Sequence, residues 1–411
     1  MQSVPAVPGG YAGSIFASPG PVALNRPPAA PPSGPPQAVA VLLPLSGPLS
    51  GPNGERGQAM LKAAQLAFAQ PGAPALDVRD TGGTATGATT AANAAIAAHD
   101  AIIVGPLTNA ETAAVAGPAR AAGVPVLAFT SDQSRAQPGV WVLGLTPGQQ
   151  VRRLVLQALA QGKTRLAALL PETDFGRAMA DALNDAAATA GAQPPVIRRY
   201  GPGMSAMTSA VRDISDFANR RAPLDAQIAE ARARNDPASL QEAAELAQRP
   251  VPPPPFDALL LADTGTTLAQ LATLLPFYNV DIPPVQILGP AFWATPAQRS
   301  GGGNVLNGAW YAAPDPSGRA VFDRLYTEKY AAPPGPLTDL VYDAASLARV
   351  VAQQGGDMVP ALTRPEGFTG VDGLVGLLAD GHARRGLAIF ELRGGTANVV
   401  DPAPTVFAPG S

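Results

Sequence analysis

Cysteine is absent from the 411 residues. That excludes a disulfide framework, a thiol nucleophile and thiolate metal ligation, but not export, since many exported proteins carry no disulfides. Histidine occurs twice, at His99 and His382, far apart and outside any metal-ligand spacing, so neither a metal centre nor a cofactor is expected. Charge is scarce: Asp, Glu, Lys and Arg make up 14% of the chain, against roughly 25% in ordinary soluble domains. Lysine is confined to Lys62, Lys163 and Lys329, and the net charge is −3, which leaves no basic footprint for nucleic acid. No apolar run approaches the ~20 residues of a membrane helix. Met1 opens into proline-rich sequence without a secretory signal. An exported form would carry its signal outside this sequence, and membrane attachment is expected only through a lipid anchor that this chain does not contain. Catalytic signatures are missing too: there is no G-x-S-x-G, no G-x-x-x-x-G-K-[ST], no G-x-G-x-x-G and no H-E-x-x-H. Asp132 and Asp263 are the carboxylate pair that invites a glycoside-hydrolysis reading, and the sequence gives no separation for them. The expectation is a protein without catalysis.

What is present is a long alternation. Residues 1–38 hold ten prolines and no helical or strand period. They read as a disordered linker that could reach on the order of 100 Å if extended. From Val39 onward, short apolar runs alternate with alanine-rich helical stretches. Val39–Leu43, Leu76–Arg79, Ala101–Val104, Val124–Phe129 and Val140–Leu145 read as strands, with helices between the first four. After Pro147 the cycle restarts, with strands at Arg165–Leu170, Val196–Tyr200, Ala258–Ala262, Val285–Leu288 and Ala309–Ala312. Strands separated by helices indicate βαβ units and parallel sheets, and two successive sets indicate two lobes. The stretch 223–249 breaks the rhythm. Leu224, Ile228 and Ala231 fall at helical spacing, and Asp236-Pro237 makes a second helix start, so an inserted helical hairpin is expected.

Val39-Ala-Val-Leu-Leu-Pro-Leu-Ser46-Gly47-Pro48 resembles the first strand and ligand loop of branched-chain amino-acid-binding proteins. So do, in order, Val104-Gly105-Pro106-Leu107-Thr108, Gly123-Val-Pro-Val-Leu127, Asp174-Phe175-Gly176, Leu288-Gly289-Pro290, Val341-Tyr342-Asp343-Ala344 and Gly370–Phe390 with its Asp380-Gly381 turn. On these motifs the chain is similar to the type I periplasmic-binding-protein superfamily over nearly everything after residue 38. Within it, Phe129-Thr130-Ser131-Asp132 and Gly144-Leu-Thr-Pro-Gly-Gln-Gln150 resemble the penicillin-binding-protein activator group. The resemblance implies an α/β fold of two doubly wound parallel-sheet lobes joined by three crossovers, near Leu145–Gln149, Ala313–Pro316 and Glu366–Gly373. The first lobe would be 39–145 plus 314–367. The second would be 146–313 plus 368–400, carrying the hairpin, and 401–411 would be a tail. It also implies a ligand cleft between the lobes and a periplasmic location, free or anchored to the outer membrane.

Candidate cleft residues follow the strands, where open α/β sheets bind ligands. Ser46 and Gly47 follow the first strand, as ligand donors or as an ordinary turn. Thr108 and Asn109 follow the Val104 strand with the same two readings. Thr130, Ser131 and Asp132 form the most polar cluster at any strand end. Phe175 is either an aromatic wall or packed on its own helix. Asp263 and Thr264 follow a strand, although Asp263 is also placed to cap the next helix. Trp293 is a candidate lining residue, whereas Trp141 and Trp310 fall within strands and read as core.

Two functions fit. One is a regulator contacting a peptidoglycan synthase, with an unidentified small polar ligand or none. The other is a solute receptor delivering to a transporter permease. Free amino acids are not expected as ligands. Laid on the amino-acid-binding pattern, Asp132 stands where relatives have a carboxylate-holding threonine, and Ala291 stands where they have an ammonium-holding glutamate.

Overall fold

The computed structural model describes residues 37–300 and 302–407, so the expected linker 1–38 lies, but for its last two residues, outside the described part. The chain divides into two compact units. Unit 1 runs to Thr146, resumes over Pro314–Gly386 and returns from Ala403, while unit 2 takes Pro147–Ala313 and Leu387–Pro402.

Unit 1 opens with β1 (Val39–Leu43), α1 (Glu55–Ala67), β2 (Leu76–Asp80), α2 (Ala85–Ala97), β3 (Ile102–Val104), α3 (Asn109–Ala121), β4 (Val126–Ala128) and β5 (Val140–Val142). The five strands form a parallel sheet in the order β2-β1-β3-β4-β5. All five residues of β1 are fully buried, as a strand covered on both faces must be. Its side chains alternate between two cores. Val39, Val41 and Leu43 face a large cluster with Met60 of α1, whereas Ala40 and Leu42 face the alanines of α2 and α3. Those alanines, Ala88, Ala91, Ala92, Ala95, Ala116 and Ala119, leave room for close helix–sheet approach.

Unit 2 contains α4 (Pro147–Ala160), β6 (Leu166–Pro171), α5 (Asp174–Thr189), β7 (Val196–Tyr200), α6 (Met204–Ile214), α7 (Phe217–Ala233), α8 (Pro237–Ala247), β8 (Ala258–Leu261), α9 (Gly265–Phe277), β9 (Gln286–Gly289), α10 (Pro296–Arg299) and β10 (Trp310–Ala313). The chain then adds α11 (Arg319–Tyr330), α12 (Thr338–Gln354), α13 (Met358–Leu362), β11 (Phe368–Gly370), β12 (Gly373–Leu377) and β13 (Ala383–Arg385) to unit 1, and β14 (Ala388–Arg393) and β15 (Thr396–Asp401) to unit 2. The unit 2 sheet runs β15-β14-β10-β9-β8-β6-β7. Read from β7, its five parallel strands repeat the order of unit 1, with β14 and β15 added antiparallel. Each sheet therefore reverses direction once, between β1 and β3 and between β6 and β8.

Residues 368–386 belong with unit 1, not with the second lobe as expected. The small antiparallel sheet β11-β12-β13 is held there by long-range bonds: Trp141 Nε1 donates to Leu378 O at 2.7 Å, and Val371 N donates to Asp343 Oδ1 at 2.8 Å. The expected tail is also built in. Asp401 ends β15, where its Oδ2 accepts from the Arg153 guanidinium at 2.5 Å. Phe407 lies under Arg384 at 4.3 Å, against Gly376, where a Cβ would stand 2.7 Å from the ring.

The inserted hairpin is real and longer than expected, because Pro223 lies inside α7 instead of opening it. Leu224, Ile228 and Ala231 of α7 and Ala243 and Leu246 of α8 form a hydrophobic cluster of their own. Arg220 ties the hairpin to its base, donating to Ser215 O, Pro252 O and, at 2.7 Å, Tyr278 O. Asp236 caps α8 by accepting from Ser239 N at 3.0 Å.

Candidate functional site

In a doubly wound sheet the loops on either side of the reversal splay apart and leave a crevice at the carboxyl ends of the strands. In unit 1 those loops are the ones after β1 and β3, which carry Ser46, Gly47, Thr108 and Asn109.

The loop after β1 is not an open set of donors. Asp80, the last residue of β2, accepts from Leu45 N at 2.9 Å, Ser46 N at 3.2 Å and Gly82 N at 2.8 Å through one oxygen. Partial burial pushes its carboxyl up, but the Ser46 hydroxyl and these three amides outweigh that and hold it below the usual carboxylate range. Gly47 takes φ +77°, and a Cβ there would stand 2.5 Å from Gly82 O, so the two loops close on each other. After β3, Thr108 is the N-cap of α3. Its hydroxyl accepts from Glu111 N at 3.2 Å, and Glu111 Oε2 accepts from Thr108 N at 2.9 Å, a reciprocal capping box. Glu111 is fully buried, and its other oxygen accepts from the Thr81 hydroxyl at 2.5 Å. Asn109 is exposed in the first turn.

Thr130, Ser131 and Asp132 do gather after β4. Thr130 is buried and accepts from Asp132 N at 3.1 Å, while Ser131 is exposed. Asp132 accepts from Ser134 N at 3.0 Å and Ser134 Oγ at 2.7 Å, and pairs with Arg135 Nε at 3.4 Å. Partial burial raises its carboxyl, yet the Ser134 and Arg135 contacts bring it below the usual value. It is a compensated carboxylate.

In unit 2 the reversal lies between β6 and β8. Phe175, in the first turn of α5, tilts against Phe292 with centroids 5.4 Å apart, and Phe292 is 56% exposed. Gly176 allows α5 to start so close to β6, since a Cβ would stand 2.0 Å from Pro171 O. Asp263, after β8, does not cap the next helix. Thr264 holds the N-cap position of α9, and the buried Asp263 carboxylate accepts from the Tyr200 hydroxyl at the end of β7. Burial pushes Asp263 up to about 6, against the pull of the Tyr200 hydrogen bond; burial and the neighbouring carboxylate raise Tyr200 as well.

Trp293 is not a lining residue. It is fully buried, its Nε1 donates to Asp263 O at 2.9 Å, and its ring occupies the space that a Cβ on Gly289 would need, 2.2 Å away. Ala291, where an ammonium-holding glutamate was sought, donates its N–H to Gln150 Oε1 at 2.7 Å. Trp141 and Trp310 are buried in β5 and β10. Among the described residues, no group of three or more His, Asp and Glu side chains could hold a metal ion.

The sequence reading missed Asp80, Glu111, Tyr200, Phe292 and Gln150. Only Glu111 carried a local signal, the Thr-x-x-Glu spacing of a capping box before an apolar helix. The others reach their partners from elements distant in sequence, Asp80 and Tyr200 from strand ends, Gln150 from α4 and Phe292 from the turn after β9.

Two sheets wound alike, each with polar loops at the carboxyl ends of its parallel strands, are an arrangement in which α/β proteins bind ligands. The periplasmic binding protein family model matches residues 36–397, and the chain belongs to that family. Among solved structures it is similar to a putative branched-chain amino acid ABC transporter protein from Rhodospirillum rubrum, with TM-score 0.67, 19% identity, 89% of this chain covered and 99% of that one. It is also similar to the C-domain of LpoA from Haemophilus influenzae, a regulator of PBP1A, with TM-score 0.59, 16% identity and coverage of 89% and 100%. A leucine-binding protein from Thermotoga maritima matches with TM-score 0.51, 17% identity and coverage of 89% and 98%. At these identities the likeness is one of fold. No curated protein matches the chain.

Proposed function

We propose that this protein is a non-enzymatic extracytoplasmic regulator that acts by contact on a peptidoglycan synthase, as the LpoA relative regulates PBP1A. The observation that supports this reading most is the internal use of the donors a carboxylate ligand would need. Leu45 N and Ser46 N are taken by Asp80, and Thr108 N by Glu111. A solute receptor must offer such groups to its cargo. A protein that works through its outer surface has no such requirement. The self-contained α7–α8 hairpin fits the same reading, because function is often carried on surface insertions.

A solute receptor for a transporter is the second reading, favoured by the exposed Phe292 beside Phe175, in the segments that follow β9 and β6, an apolar face on which a ligand could rest. Cross-linking the full chain in envelope extract separates the two. Recovery of a peptidoglycan synthase is expected, and recovery of a membrane permease in its place would overturn the regulator reading.

A further inference from the structure

Helix α12 brings Asp339, Tyr342, Asp343 and Arg349 into the interior of unit 1, where all four are buried. Asp343 uses both oxygens on one turn, accepting from Val371 N at 2.8 Å and from Asp372 N at 3.1 Å. Gly370 makes this seat possible, because a Cβ there would stand 2.2 Å from the Asp343 carboxylate. Asp372, buried at the tip of the β11–β12 turn, adds a third carboxylate. Two cations answer the three acids. Arg319 of α11 pairs with Asp339 at 2.5 Å and faces Asp323 at 3.9 Å. Arg385 of β13 acts on both Asp343 and Asp372. Arg349 acts on Tyr342, which in turn feels the charge of Asp343.

The place of this cluster in the chain is what gives it consequence. The chain leaves unit 1 after Thr146, re-enters at Pro314, leaves again after Gly386 and returns at Ala403. Each passage lies beside the cluster or a residue that adjoins it. Arg385 donates to Leu143 O at 2.7 Å, just before the first exit. Gly318, just after the first return, lies so close to the turn that a Cβ would stand 2.7 Å from Val371 O. Gly386, at the second exit, directly follows Arg385, and Pro404 O of the last return stands 2.9 Å from where its Cβ would be.

We propose that Asp339, Asp343 and Asp372, with Arg319 and Arg385, form a proton-sensitive clamp on the segments through which the chain leaves and re-enters unit 1. Burial, and then the charge of Asp339, push Asp372 up to about 6 against the pull of Arg385 and Arg319; burial and the charge of Asp372 raise Asp343 too. Carboxyls raised in the folded state stabilise it fully below the ordinary Asp value of ~3.9. That stability is lost as pH rises through about 6. Mild acid therefore tightens the clamp, and neutral pH loosens it.

The test is hydrogen exchange of the full chain between pH 5.0 and 7.5, corrected for intrinsic rates, in peptides covering 368–376 and 382–388. The corrected opening is expected to be about tenfold rarer at pH 5.0, the ratio that one pK unit of differential interaction gives. In Asp372→Asn the ratio should fall towards one. A ratio near one in the parent protein, or an unchanged ratio in the variant, overturns the proposal. Should Asp372→Asn fail to fold, Arg319→Gln, at a position 40% exposed in its side chain, gives the second reading. Loss of that cation should raise the midpoint of the exchange transition, and an unmoved midpoint overturns the proposal equally.

Discussion

A carboxyl folded into an apolar setting must find donors or keep its proton, and Asp263 does some of each. The Tyr200 hydroxyl donates to it, yet burial dominates and pushes the group up to about 6. Its contribution to stability is therefore fully present below ~3.9 and fades as pH rises through about 6. Asp263→Asn keeps the acceptor for Tyr200 and removes the charge. In urea unfolding at pH 7.5 the variant should be more stable than the parent by on the order of 1–3 kcal/mol, with the gap closing by pH 4. A variant less stable at both values would mean that the charged form is the one the site favours. Trp293 makes the complementary case. A residue lining an open crevice costs little stability when truncated, but this ring is enclosed, so Trp293→Ala should cost about 3–5 kcal/mol, measured by the same unfolding. Its sequence position, just past Gly289-Pro290, pointed to a loop. The cause of its burial is the missing side chain of Gly289, a contact across the loop that has no signature in composition or periodicity.

At the scale of elements, the parallel strands were legible because a strand buried on both faces must be an unbroken apolar run, as Val39–Leu43 is. What did not show was attachment. The segment β11–β13 entered the sequence reading only as part of the Gly370–Phe390 resemblance, and its membership of unit 1 rests on Asp343 and Trp141, which bond to it from far along the chain. The hairpin was legible through Leu224, Ile228 and Ala231, whose spacing is that of a buried helical stripe. Its start was not, because α7 runs through Pro223, a residue that ordinarily opens or breaks a helix. Since Leu224, Ile228, Ala231, Ala243 and Leu246 form a cluster separate from the sheet cores, removing residues 221–250 with a short glycine bridge should leave both units folded. The expected loss is no more than ~1 kcal/mol, a fall in Tm of about 2–4 °C. On the regulator reading the same deletion weakens capture of the partner in envelope extract. A deletion that unfolds the protein makes the hairpin structural, and one that captures the partner normally removes it from the contact surface.

For the whole molecule the sharpest consequence is that free α-amino acids should not bind, despite a fold shared with leucine-binding proteins. The sequence suggested this on the ground that Asp132 would repel a ligand carboxylate, by roughly 4 kcal/mol at about 4 Å and an effective dielectric near 20. The structure weakens that ground, because Arg135 pairs with Asp132 and compensates it. It supplies a better one. The amides of Leu45 and Ser46 already serve the Asp80 carboxylate, and that of Thr108 serves Glu111. A ligand carboxylate would have to displace an anion that the chain itself supplies at no translational cost, or do without those donors. Hydrogen bonds to a charged acceptor contribute about 1.5–3 kcal/mol each, so forgoing all three removes about 4.5–9 kcal/mol. A micromolar complex has only about 8 kcal/mol in total, and what is left corresponds to millimolar binding or weaker. Ala291 offers no counter-charge for an ammonium, and its own N–H is held by Gln150, so the opposite end of an amino acid gains nothing in return. Calorimetry with the twenty amino acids should therefore show no dissociation constant below about 1 mM. Micromolar binding of leucine, valine or any other member of the panel would mean that the Asp80 and Glu111 contacts open for cargo, and would restore the solute receptor as the leading function.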